Sequence, residues 1–310
     1  MPSWNELLAE FQAAVATGAG SGWIGAQIHA SLRDISALRE DRNVIFYSSA
    51  FLQKPNIDPS LLQITHEEIN GFMSVMYGMD WTKGLTLLLH TPGGVTNAAE
   101  TVVAYLRSKF DFIETIVPAF AMSAGTMISL ATDRIIMGRQ SQLGPIDPQM
   151  PVMGRYVSAR AVVDQFERAK GEILGNLNAA HVWAPILQSL GPALLNEAEN
   201  ALSYGESMVS KWLSERMFRT ALDPTGLAAA TAFHFNDAST HKSHGRRIDR
   251  DEARAKNVVV VDLEEDQALQ EAVLTAYHLM TILFEQGPAA KIIASNRDRL
   301  WAKNVASPTN

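Results

Sequence analysis

The sequence predicts an α/β fold on a mostly parallel sheet, and three observations carry that expectation. Apolar, β-prone runs alternate with helix-patterned segments between residues 44 and 137. Leu85 to Leu89 is a near-continuous apolar run, which suits a strand covered on both faces. Turns of small residues follow two successive strands, one at Gly93-Gly94 and one around Ser123. Parallel sheets collect ligands at those carboxyl ends.

Composition narrows the function. The chain has 310 residues, 47% hydrophobic and 19% charged, with a net charge of −7. Acidity without a basic cluster argues against nucleic acid as the main partner. There is no cysteine, so disulfides and thiolate chemistry are excluded. The start, Met1 to Glu6, shows neither a basic n-region nor an apolar h-region. No apolar run has the length of a membrane span. The expectation is a cytoplasmic protein with no membrane span.

In chain order, residues 4–16 and 23–39 carry apolar residues at helical spacing, among them Leu7, Phe11, Ile24, Ile28, Leu32 and Ile35. Gly18 to Gly22 separates them, and the pair reads as a lid on the core, with a partner-binding arm as the alternative. Val44–Tyr47 reads as a strand. A helix to about Tyr77 starts at Ile64, with Thr65 and Glu68 spaced as a capping box. Strand 85–89 leads to helix 96–109, then to strand 113–117, a helix at 127–131 and strand 134–137. Residues 158–217 are mostly helical, interrupted at Pro185, Gly191 and Pro192. Residues 234–256 are polar and basic and read as a solvated or anion-binding loop. A strand at 258–261 and a helix at 266–285 follow. The organisation expected is an N-terminal helical arm (1–40), a catalytic domain (41–265, with its helical region at 158–217), and a C-terminal helix and tail (266–310).

Ser123 lies in Ala121-Met122-Ser123-Ala124-Gly125, between a strand and a helix. That is the setting of a nucleophile elbow, where small neighbours permit a sharp turn and the helix start offers free N–H groups. A serine there can equally be a plain N-cap. Likewise Pro92-Gly93-Gly94 is either a tight turn or a backbone that approaches a substrate without a Cβ in the way.

Three motifs occur in order: Leu89-His90-Thr91-Pro92-Gly93-Gly94, Ala121 to Thr126, and Ser141-Gln142-Leu143-Gly144-Pro145-Ile146-Asp147-Pro148-Gln149. Together they resemble the serine dehydrogenase proteinase family of Clp-fold peptidases, distant relatives of the Clp protease subunit and signal peptide peptidase A. The resemblance is densest over residues 35–150 and extends to Thr240-His241. It implies a Clp/crotonase-like spiral of βαβ units with helical additions at both ends. It also implies a nucleophile at Ser123, and an oxyanion hole from backbone N–H groups at Gly93, Gly94 and Ala124.

The resemblance leaves the base open. Clp subunits carry a histidine after the segment matching 141–149, which has none here; signal peptide peptidase relatives use a lysine on a later helix. At about 100° per residue, Lys170 falls among Val163, Phe166, Ile173 and Leu174, so it is expected to be partly buried with a lowered pKa, or else to snorkel its ammonium past the stripe to water. Lys211 falls away from the apolar face and should be solvated. Asp147 is the second candidate, with a turn-closing role as its alternative; His90 and His241 come third. No metal or cofactor is implied.

The function expected is an ATP-independent serine endopeptidase working through an acyl-enzyme on Ser123. Its partners would be a polypeptide substrate and further copies of itself in a closed homo-oligomer. The alternatives are a crotonase-type enzyme acting on acyl-CoA thioesters and an inactive oligomeric scaffold. Thioester chemistry of that kind needs the amides but no nucleophilic serine.

Overall fold

A computed structural model describes residues 3–305. The chain divides into two compact units, Met1–Leu143 with Ile248–Asn310, and Gly144–Arg247. The first unit opens with α1 (Trp4–Ala16), α2 (Gly20–Leu38), β1 (Asn43–Ser49), α3 (Glu68–Met76), β2 (Leu85–His90) and α4 (Thr96–Arg107). It continues through β3 (Ile113–Val117), β4 (Phe120–Ala121), α5 (Ala124–Leu130), β5 (Arg134–Met137) and β6 (Gln142–Leu143). The second unit holds the hairpin β7 (Gln149–Val152) and β8 (Arg155–Ser158). Five helices complete it: α6 (Ala159–Gly175), α7 (Ala180–Leu190), α8 (Leu194–Glu215), α9 (Pro224–Asn236) and α10 (Ala238–His241). The chain then re-enters the first unit for α11 (Arg250–Ala255), β9 (Val260–Asp262), α12 (Gln267–Gln286), β10 (Ala289–Ser295) and β11 (Arg299–Asn304). Where it leaves and returns, Leu143 and Ile248 exchange two backbone hydrogen bonds of 2.9 Å, closing the first unit upon itself.

The main sheet has the order β11-β10-β1-β2-β3-β5-β9. Neighbours from β1 to β9 are parallel; β10 and β11 add antiparallel strands at one edge. Strands β1, β2 and β3 are buried along their whole length, polar residues such as Glu114 included. Ile24, Ile28, Leu32 and Ile35 of α2 enter one core with Val273, Ala276 and Met280 of α12 and Val44 and Phe46 of β1. The expected lid is thus part of the core. Ser3 and Glu6 form a full capping box that starts α1.

Several expectations are corrected. The glycine break between α1 and α2 is shorter than its composition suggests, because Gly20–Gly22 form the first turn of α2. The Thr65–Glu68 box is half made: Glu68 accepts from the Thr65 N–H, but the helix begins only at Glu68. Residues 234–256 are largely helical, in α9, α10 and α11, rather than one loop. Pro185 lies within α7 instead of ending it. The C-terminal stretch is not a helix and tail; after α12 the chain returns as the β10–β11 hairpin of the main sheet. The part of the tail beyond residue 305 lies outside the described residues.

Glu114, fully buried near the start of β3, is gripped by arginines. It accepts from Arg39 Nε at 2.9 Å and Nη2 at 2.7 Å, from Arg134 Nε at 2.9 Å, and from Thr86 Oγ1 at 2.7 Å. Burial alone would raise its pKa, but the Arg39 hydrogen bonds and the arginine charges outweigh it and hold the carboxyl down to about 2. The ionised form therefore stabilises the fold above the unfolded carboxyl's value, about 4.3, and that contribution is lost as pH falls through about 2. Glu114→Gln should cost about 3–5 kcal/mol at neutral pH, as expected for one partner removed from a buried ion pair. Denaturant titrations of both proteins should show the gap narrowing between those two pH values; a gap independent of pH would refute the assignment.

Candidate active site

Two βα turns meet at the carboxyl ends of the adjacent parallel strands β2 and β3. They are stitched together by backbone hydrogen bonds, Thr91 N–H to Phe120 O at 2.9 Å and Met122 N–H to Thr91 O at 3.1 Å. Ser123 follows at φ +51°, ψ −115°. A non-glycine residue held there is strained by about 1–3 kcal/mol, and such strain gathers at active sites. The turn is closed by Gly125 N–H to Met122 O at 2.8 Å and Thr126 Oγ1 to Ala121 O at 2.7 Å. Ser123 occupies the N-cap position of α5, yet its side chain caps nothing. The plain N-cap reading therefore fails, and the hydroxyl is half-buried at the helix start.

The glycine turn lies against this serine. A Cβ on Gly93, at φ +99°, would stand 2.6 Å from both Met122 O and Ser123 Cβ, and 3.1 Å from Ala124 N. A Cβ on Gly94 would stand 2.3 Å from Ile64 O. Gly94 forms a parallel bridge with Ile64, through Ile64 N–H to Gly93 O and Val95 N–H to Ile64 O, both 2.8 Å. In such a bridge the N–H of Gly94 itself faces away from Ile64. Of the three amides expected to face a substrate oxygen, that of Gly93 is engaged, donating to Thr91 Oγ1 at 3.1 Å. Among the described residues, the N–H groups of Gly94 and Ala124 have no hydrogen-bond partner.

The candidate bases fare differently. His90 ends β2, but its ring is walled in by Phe51, Phe120 and Tyr277, with centroids 5.0, 5.8 and 4.9 Å away. Burial drives its pKa down to about 3, so it stays neutral, and neither ring nitrogen has a partner among the described residues. Lys170, in the second unit, is not on a buried face: its side chain is 66% exposed and 3.5 Å from Glu167. The buried line of α6 is Ala159, Val162 and Ala169, and Leu174, counted into the apolar stripe, is exposed. Lys211 is exposed as expected. His241 is buried with both nitrogens occupied, Nε2 by His234 O at 2.7 Å and Nδ1 by Arg246 Nη1 at 3.1 Å.

Asp147, also in the second unit, has a nearly buried side chain and a partner the sequence did not reveal. His244 Nδ1 lies 2.8 Å from its Oδ1, and Gln149 Nε2 donates to its Oδ2 at 2.7 Å. His244 is 28% exposed and, with Asp147, Gln149, Tyr156, Arg160 and Lys242, lines an open cleft of about 280 Å3. A carboxylate on Nδ1 fixes the orientation of the imidazole ring. The only sequence signal was the cluster His234, His241 and His244 in one polar stretch, which composition alone assigned to solvent.

The parallel sheet, the strained serine between strand and helix, and the two unengaged amides beside it define an α/β fold with a ClpP-like domain and helical additions at both ends. Residues 65–175 match the model of the ClpP-like SDH-type serine proteinases. Two curated proteins of Methanocaldococcus jannaschii are similar to it, both described as uncharacterized. MJ0137 is 33% identical over 161 residues, which is 49% of this chain and 53% of that protein. MJ1495 is 39% identical over 88 residues, 28% of each. The chain thus spans about half the length of the first and less of the second. Among solved structures, a mutant of the 1510-N membrane-bound stomatin-specific protease aligns over 66% of this chain and 77% of its own, at 18% identity and a TM-score of 0.38. No helix among the described residues is long and apolar enough to cross a membrane.

If the contact between the two turns governs the site, Gly93→Ala should be costly. It adds a Cβ where φ is +99° and the neighbours stand at 2.6 Å, so a loss of more than about 1 kcal/mol is expected in chemical denaturation. A neutral substitution would show that the turns are not in contact.

Proposed function

We propose that this protein is a serine peptidase that hydrolyses peptide bonds through an acyl-enzyme on Ser123. The observation that carries the reading is the strained Ser123 backbone, set against Gly93 with the N–H groups of Gly94 and Ala124 unengaged. The hydroxyl attacks the scissile carbonyl, whose oxygen becomes an oxyanion between those two amides. Each such donor is worth about 2.7–4 kcal/mol in the transition state. The amine then leaves, and water hydrolyses the ester on Ser123. An acyl-CoA enzyme would use the amides alone and would have no need of a strained serine, so the strain favours the peptidase. The family match supports polypeptides as the substrate class.

Ser123→Ala should leave fold and stability intact and lower casein or peptide hydrolysis by about three orders of magnitude or more. A fluorophosphonate probe should label the wild type and not the variant. Hydrolysis at the wild-type rate by Ser123→Ala would sink the proposal.

As it attacks, the hydroxyl gives its proton to a general base, which returns it to the departing amine.

A further inference from the structure

The first unit buries a second full ion pair. Lys291 of β10 and Glu68 at the start of α3 are in contact, and each side chain is 1% exposed. Two buried charges gain little net stability over an apolar pair of the same volume. Their contacts show what else they hold. Lys291 Nζ donates to Gln63 O at 2.9 Å. Glu68 Oε2 accepts from Thr65 N–H at 2.5 Å and from Thr65 Oγ1 at 2.8 Å. Ser49 Oγ, on the strand residue paired with Lys291, donates to Leu62 O at 2.6 Å.

Between Gln63 and Thr65 lies Ile64, whose N–H and C=O bind the glycine turn. Backbone groups of successive residues in an extended segment point to opposite edges. One edge of residues 63–65 is therefore gripped by the ion pair, and the other edge sets the position of Gly93, Gly94 and Val95. A Cβ-free contact, with Gly94 packed directly on the Ile64 backbone, transmits any shift of that segment to the Gly94 N–H.

We propose that Lys291 and Glu68 are positioning residues for the oxyanion turn: together they lock residues 63–65, and through Ile64 they aim the N–H of Gly94. The proposal rests on the reading of Gly94 as an oxyanion donor. Neither residue touches the substrate, so their loss should act on turnover rather than on binding.

The test compares wild type, Lys291→Met, Glu68→Gln and the double variant Lys291→Met with Glu68→Leu. Each single variant strands a buried charge or leaves it half-paired, and should be less stable. The double variant removes both charges and should recover thermal stability. It should nevertheless show kcat lowered about 10-fold to 100-fold, with KM within about twofold, because a misaimed amide is lost mainly in the transition state. Fluorophosphonate should label it at the same final stoichiometry but at a correspondingly slower rate. A stable double variant with wild-type kcat and labelling rate would overturn the proposal. Should the double variant not fold, Ser49→Ala and Thr65→Val loosen the same segment without stranding a charge, and unchanged kcat in both would overturn it equally. Ser123→Ala in the same assay separates the two failures: an active Ser123→Ala defeats the peptidase reading, whereas an inactive one with an unaffected double variant defeats the positioning role alone.

Discussion

Everything about the candidate site depends on backbones packed against each other with no side chain between them. The turn after β2 presses Gly93 onto Ser123 and Gly94 onto Ile64, at distances that leave no room for a Cβ. Parallel pairing makes this possible, because it brings the ends of β2 and β3 to the same edge in register. The chain then satisfies what it can: Gly93 N–H goes to Thr91 Oγ1, and Met122 N–H to Thr91 O. Among the described residues, the N–H groups of Gly94 and Ala124 stay unengaged.

The sheet is pinned by charge near both ends of its central strands. Glu114 binds Thr86 and three arginines near the beginnings of β2 and β3. Lys291 and Glu68 grip the segment that meets the turn after β2. Buried ion pairs of this kind are weak sources of net stability but strict about geometry, since a misplaced partner leaves a bare charge in an apolar interior. In between, the strands are filled with apolar side chains, and His90 is part of that filling. Its neutral ring packs among three aromatic residues as a flat, polarisable surface.

The second unit has a different character. Its helices expose Leu174, Leu177 and Val182, and its lysine at 170 projects into solvent. Its ordered chemistry is at the ends of the inserted chain, where Asp147 just after the entry meets His244 just before the exit. The hydrogen-bonded pair spans 97 positions of sequence, so no local pattern could announce it.

Much of the first unit was legible in the sequence because its signals are local. Strands β3 and β5 fall where β-prone, largely apolar segments end in turns, and α1 where apolar spacing meets Ser3 and Glu6. The serine between strand and helix and the paired glycines were visible as small residues in the right order. Contacts between distant segments were not. A hairpin at 289–304 joins the sheet edge although its residues alternate weakly, Lys170 turns outward because the α6 stripe runs through Ala169, and His241 spends both nitrogens on its neighbours. The sequence by itself determined the strand–turn–helix units and the residues able to do chemistry. Only the tertiary structure decided which amides remain unengaged, which histidine meets Asp147, and that Lys291 is buried against Glu68. The physical reason is that periodicity encodes which face of an element is apolar, whereas hydrogen-bond partnership depends on where the other elements come to rest.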